Sequence, residues 1–387
     1  MREVPRIPSA ALLIDGDKIK WYGPQTQLKL LPACETFEAG GGCVVPGLSD
    51  CHTHTVFAGT REHEFVQRLQ NKSYADIAHS GGGINVTVDG VRRASRRQLV
   101  DLALPRLRRM LANGVTTVEI KSGYGLNVAD ELKMLEAIRE LKNLQPIELV
   151  PTYLAAHTTP PEYKDRDEYL KLVLDEKVLT KIHDDQLAEF CDVFCDATAF
   201  DMYQSYRVLE AGKRFGLTPK IHADQFAGMD ASVLAAKVGA ISADHLDKID
   251  DAGVAAMKQS GCIAVLLPGT SYFLSQPQAP ARTIMNADVP VAVATNYNPG
   301  SCMIESLPLV MNIACTQMRI TPIEALVAVT ANAAAAVNRQ TRVGAIAEGM
   351  QADLVVLDVA SPEQWVYEPG RNCVRAVFKR GKLTHST

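Results

Sequence analysis

The residues best equipped for chemistry are a handful of histidines. The chain has nine, and His52, His54, His157, His222 and His245 fall where short apolar runs end. His52 and His54 are separated by one residue. Side chains two apart on an extended chain point the same way, so both imidazoles can reach one ion. Imidazole suits zinc or iron, and three protein ligands with one position left for water is the usual catalytic arrangement. An HxH pair alone is as easily chance. His222 in KIHADQF and His245 in SADHL, arriving from separate runs, make chance a poor account. Other polar residues follow the same runs: Tyr124 in KSGYG, Gln225 after His222, and Asn298, Gly300 and Ser301 in NYNPGS. Arg61 lies just beyond the first histidines, and a guanidinium there can grip a carboxylate with two parallel bonds. His63, His79, His183 and His385 are expected on loops or helices, in structural or solvent-facing roles.

These residues need a scaffold that brings strand ends together. From about residue 45, β-branched runs alternate with helical stretches, the pattern of a parallel sheet wrapped by crossover helices. Eight runs are expected as strands: 44–50, 115–123, 147–157, 191–200, 218–226, 240–246, 262–270 and 289–297. Amphipathic stretches such as QLVDLALPRLRRMLANG lie between them, that one ending on Gly114 as helices commonly do. Eight such units spell an α/β fold, a closed (β/α)8 TIM barrel whose active site belongs at the C-terminal strand ends. The flanks differ. AALLIDGDKIKWYG and the runs within 353–384 read as short strands around tight turns, each too small to fold alone. The expected organisation is a barrel over 44–340 inserted into a small composite β-sandwich domain made from 1–43 and 341–387. The glycine run at 80–83 is expected as a loop over the barrel mouth, since it matches no dinucleotide-binding pattern.

Composition narrows the function. With 387 residues and 47% hydrophobic content there is enough chain for a large core. Forty basic against 44 acidic residues give a net charge of −4, with no basic run to track phosphates, so nucleic acid is not an expected partner. The N-terminus lacks an apolar leader, and no stretch reaches the roughly 20 apolar residues of a membrane span, so a cytoplasmic protein with no membrane partner is expected. Nine scattered cysteines without a CxxC pair suggest neither a disulfide framework nor a cysteine zinc site. Cys191 and Cys195 read as buried thiols.

VVPGLSDCHTH at 44–54 resembles the first-strand motif of the amidohydrolase superfamily, and GAIAEGMQADLVVLD at 344–358 resembles its return to the small β domain. DCHTHTVFAGTREHEF, GGGI, VEIKSGYGL, AAHTTPPEY, VFCD, KIHADQF, SADHL, LLPGTSYFL and NPGS together resemble the branch that opens the imidazolone ring in histidine degradation. The resemblance runs through nearly the whole chain. It implies hydrolysis of 4-imidazolone-5-propanoate to N-formimidoyl-L-glutamate, one bound zinc or iron ion, and a homodimer. Carried over residue by residue, it implies metal ligands at His52, His54 and His222, with a fourth at position 296. It implies substrate contacts at Arg61, Tyr124, His157, Gln225, Asn298, Gly300 and Ser301, with Tyr74 as a further candidate. Catalytic roles fall on His245, Gln225, His157 and position 296. One departure stands out: the related pattern has aspartate where this chain has Asn296. A carboxylate can ligate, neutralise charge and take a proton, whereas an amide offers only a neutral oxygen. Two rival expectations follow, a purine or pyrimidine deaminase on the same scaffold, and a catalytically impaired ligand-binding homologue.

Overall fold

All eight expected runs form strands of one parallel sheet in a computed structural model that describes residues 4–29, 34–70, 72 and 82–387. In chain order the strands of the molecule are β1 (Ala10–Asp15), β2 (Lys18–Pro24), β3 (Val44–Pro46), β4 (Leu48–Asp50), β5 (Val115–Lys121), β6 (Glu148–Ala156) and β7 (Phe190–Cys195). Then follow β8 (Thr218–Ala223), β9 (Ser242–His245), β10 (Ile263–Leu266), β11 (Val291–Val293), β12 (Leu354–Leu357), β13 (Val374–Lys379) and β14 (Lys382–Ser386). The barrel runs from β4 to β11 in sequential order, every neighbour parallel. Such strands are covered on both faces, and β5 accordingly is buried at all seven positions.

The ends of this sheet meet beyond the regular strands. Thr53 bridges Tyr297 in parallel, the Asn296 amide donates to the His52 carbonyl at 3.0 Å, and the His54 amide donates to the Tyr297 carbonyl at 3.0 Å. Below this, the Asp50 carboxylate accepts from the Thr295 amide (3.0 Å) and hydroxyl (2.6 Å). The seam therefore closes at the residues expected to do chemistry.

Helices between the strands start on polar caps. Ser95 and Gln98 form a reciprocal capping box on Arg96–Ala112, and Asn127 caps Val128–Leu141. Their apolar faces, including Leu99, Leu107, Leu135 and Ile138, join the core around the barrel.

The chain ends build two antiparallel sheets, the β1–β2 hairpin and a four-stranded sheet ordered β14-β13-β12-β3. Ile19 of the hairpin packs on Ala352 and Leu354. The expected single strand at 44–50 is in fact two. Val44–Pro46 pairs with β12, while Leu48–Asp50 pairs with β5. Gly47 makes the transfer, because a Cβ there would lie 2.3 Å from the Thr116 hydroxyl. A second difference concerns the glycine run, of which Gly82 and Gly83 are described. Gly83 opens the helix Ile84–Arg93 with φ 85°, and its N–H bonds the Glu64 carboxylate at 3.0 Å. Cys191 and Cys195 are buried thiols, as expected.

Candidate active site and metal centre

The strand register delivers the histidines to one face. His222 lies within β8 and His245 ends β9, where Ala223 pairs with His245. His52 and His54 flank the Thr53 bridge just past β4, and His157 directly follows β6. Arg106 staples the segment after the HxH pair, donating to the carbonyls of Thr55 (2.9 Å) and Phe57 (2.8 Å).

Ring centroids of His52 and His222 are 4.6 Å apart, and those of His52 and His54 5.5 Å. One ligating nitrogen each from His52, His54 and His222 can be chosen so that all lie within 4.8 Å of one another. Their polarity fits a cation. His52 Nδ1 sits 2.6 Å from Asp244 Oδ2, and His222 Nδ1 3.0 Å from Asp192 Oδ2. A carboxylate at Nδ1 fixes the proton there and leaves the Nε2 lone pair free. Among the described residues, both Nε2 atoms are buried without a hydrogen-bond partner, and so is Asn296 Oδ1. Asn296 turns its amide nitrogen to the Thr270 hydroxyl at 2.9 Å, so the oxygen is the atom left over. Burial holds His52 and His54 well below the usual imidazole range, and nearby Lys121 (for His52) and His157 (for His54) add to it. Neutral imidazoles are what a metal needs. Three imidazoles with partnerless buried nitrogens fit one divalent ion.

Around this cluster, His157 stacks on His54 (5.1 Å, 13°) with its Nδ1 3.0 Å from the Gly123 carbonyl, and burial then His222 push it down to about 3. Tyr124 is buried, its ring 5.5 Å from those of both His54 and His157. His245 lies 5.3 Å from the His222 ring, with φ 84°, a conformation a non-glycine residue adopts at a cost. Its Nδ1 is 3.8 Å from the Asp247 carboxylate. Gln225 is buried in the segment after β8.

Arg61 is fixed by Glu64, which accepts from its Nε at 2.9 Å and its Nη2 at 2.7 Å. Its Nη1 turns toward Gly300, where a Cβ would sit only 2.2 Å away, so the glycine makes room for the guanidinium. Asn298 shapes that turn. Its Oδ1 accepts from the amides of Gly300 and Ser301, both at 2.8 Å, and its Nδ2 donates to the Asn296 carbonyl at 2.7 Å. The structure thus brings Arg61, Asn298, Gly300 and Ser301 into one corner, with the Asn298 amide engaged in the turn itself. Tyr74 and His79 lie outside the described residues. His63 is exposed, and His183 Nδ1 is 3.0 Å from the Phe215 carbonyl.

Neither Asp244 nor Asp192 stands out in the sequence. They are the carboxylates at the Nδ1 atoms of His52 and His222. The register places Asp244 directly across the ladder from His222, on the inward face. Asp224 differs, its carboxylate accepting from the Met229, Ala231 and Ser232 amides at a helix start.

A profile of the amidohydrolase family matches residues 43–384, and the chain belongs to that family, whose members are hydrolases. Over nearly its whole length it is similar to imidazolonepropionases. It is 46% identical over 389 residues to the one from Geobacillus kaustophilus, covering 99% of this chain and 92% of that protein. It is 45% identical to the one from Shewanella frigidimarina, covering 97% and 93%. Among solved structures, an adenosine deaminase from Xanthomonas campestris with bound zinc superposes with TM-score 0.70 at 18% identity, covering 97% of this chain and 88% of that one. A 5-methylcytosine deaminase from Klebsiella pneumoniae gives 0.73 at 15%, covering 97% and 94%. At those identities the likeness is one of fold. No helix among the described residues is long and apolar enough to cross a membrane.

Proposed function

We propose that this chain hydrolyses 4-imidazolone-5-propanoate, opening the ring to N-formimidoyl-L-glutamate. The observation that carries the reading is a set of buried, partnerless nitrogen and oxygen atoms beside a corner that presents the Arg61 guanidinium. Arg61 is close enough for its charge to act on the Tyr124 phenol, and Tyr124 in turn lies against His54 and His157. A ring over the histidines can therefore place its propionate on Arg61. The full-length similarity to imidazolonepropionases supports the same substrate.

His52, His54, His222 and the Asn296 oxygen would hold the ion. A divalent cation there, zinc or iron by the donor set, supplies Lewis acidity and makes water a nucleophile near neutral pH. The protein's own residues do the rest. Arg61 Nη1, in the corner that Asn298, Gly300 and Ser301 shape, binds the propionate and fixes the ring, an orientation worth several kcal/mol in such reactions. His157 and Gln225 hydrogen-bond the ring, and Tyr124 excludes water from its edge. As a C–O bond forms at the ring carbon, His245 takes the proton of the attacking water at its ring nitrogen. His245 then passes that proton to the departing ring nitrogen as the C–N bond breaks. The reading includes a cytoplasmic homodimer with 1–43 and 341–387 as its small β domain, and with neither nucleic acid nor membrane as partner.

The test incubates metal-loaded protein with imidazolonepropanoate and follows the ring absorbance, formimidoylglutamate and ammonia together. Ring loss matched by formimidoylglutamate is expected. Ammonia released with the ring intact would replace the reading with a deaminase, and tight binding without turnover would replace it with a ligand-binding protein.

A further inference from the structure

Beneath the histidines lies a layer of charged side chains that none of the proposed steps uses. Glu119, Lys121, Asp192, Lys220 and Asp244 project into the barrel from β5, β7, β8 and β9, all fully buried. Lys121 Nζ is 2.8 Å from Glu119 Oε1, 2.7 Å from Asp192 Oδ2 and 3.6 Å from Asp244 Oδ2. Those last two carboxylates are the partners of His222 and His52. Lys220 plays a different part. It reaches Glu119 Oε2 at 3.1 Å and the carbonyls of Cys51 and Ala336 at 3.3 and 3.2 Å, and comes only within 4.0 Å of Asp244.

We propose that Lys121 is a positioning residue for the metal centre, one ammonium that sets both carboxylates and through them the orientation of two ligating histidines on different strands. The inference rests on His52, His54 and His222 holding the ion. Two acids at the backs of two imidazoles repel each other in a dry interior, and each alone can swing. A lysine between them, itself anchored on Glu119, holds both. Thr152 also donates to Glu119 Oε1 (2.5 Å) and Ser242 to Asp244 Oδ1 (2.6 Å), which limits the remaining freedom of the acids. Carboxylates behind metal-bound histidines typically change affinity 10- to 100-fold when removed. Lys121 governs two of them, so it should matter to metal binding more than Lys220 does.

The test strips the protein of metal and titrates it with Co²⁺, reading affinity and the visible ligand-field band. Native protein should take up one Co²⁺ with a distinct band. Lys121→Met should bind about 10- to 100-fold more weakly with an altered band, Lys220→Met should change both less, and the Lys121→Met effect should shrink in an Asp192→Asn background. A merely structural lysine would lower thermal stability while leaving affinity and band alone, and that result overturns the proposal. Should Lys121→Met not fold, Glu119→Gln with Lys121→Met keeps the charge sum of the layer and should show the same weakening. Failure of both variants to fold would make Lys121 a folding residue and also overturn the proposal. Native protein that binds no Co²⁺ sinks the metal reading itself, an outcome visible before any variant is made.

Discussion

The floor of the site and its rim are built by different means. On the floor, His222, Asp192 and Asp244 belong to barrel strands and their directions follow from the ladder register, while His245 ends its strand with φ 84°. On the rim, Arg61, Asn298, Gly300 and Ser301 sit in turns and at a helix start, and their positions depend on side chains bonding side chains and turn amides, as Glu64 and Asn298 do. Strands fix a metal-ligand geometry that tolerates little error, and turns shape a corner to a particular substrate tail. Changes on the floor should therefore act on metal and turnover, and changes on the rim on substrate affinity.

The most severe way to test that division is His222→Ala. It should abolish metal retention and reduce hydrolysis to background while leaving secondary structure intact, checked by metal analysis and circular dichroism; retained metal would remove His222 from the ligand set. Asn296→Asp comes next. It supplies a charged ligand and a proton acceptor on the floor, and kcat should rise by about 10² to 10⁴, the usual contribution of a positioned base. An unchanged kcat would show that His245 alone takes the proton as effectively as His245 and a carboxylate together. Arg61→Met should raise KM by roughly 10- to 100-fold, as expected when a charged hydrogen bond of about 1.5–3 kcal/mol is lost, with kcat little altered. A fall in kcat with KM constant would erase the distinction between rim and floor.

The smallest effect belongs to neither region and serves as a baseline. Glu324 caps the helix Pro322–Val329. Burial would raise its carboxyl, but hydrogen bonds from Arg282 and Thr321 outweigh this and bring it down to about 2. A folded-state value below the unfolded one gives stability that is present above about pH 4.5 and is lost as pH falls toward 2. Glu324→Gln should accordingly lower the melting temperature at pH 7, with the difference from native protein vanishing near pH 2, and should leave metal binding untouched.

Much of this arrangement was legible from residue order. Eight β-branched runs gave eight strands, and HxH with two later histidines marked the face where they meet, because period-two alternation and strand ends are local properties. The layer below was not legible. Glu119 and Lys121, or Lys220 and His222, show the same alternation as any strand, and only the stagger between strands decides that Lys121 meets Asp192 and Asp244. Gly47 was hidden for a similar reason. Val44 to Asp50 is one apolar run, and its division between two sheets depends on the Thr116 side chain arriving from a strand far along the sequence. The exchange of Asp for Asn at 296 was visible at once, whereas the direction of its amide required Thr270.

The seam where the last strand meets the first is stitched by few backbone bonds, and His52, His54 and Asn296 supply them. The proposed ion, held by those same residues, would act as a clasp on the cylinder. Without it, the wall should breathe first along this line, and amide deuteration at His54 and Asn296 should run faster in the stripped protein than in the loaded one.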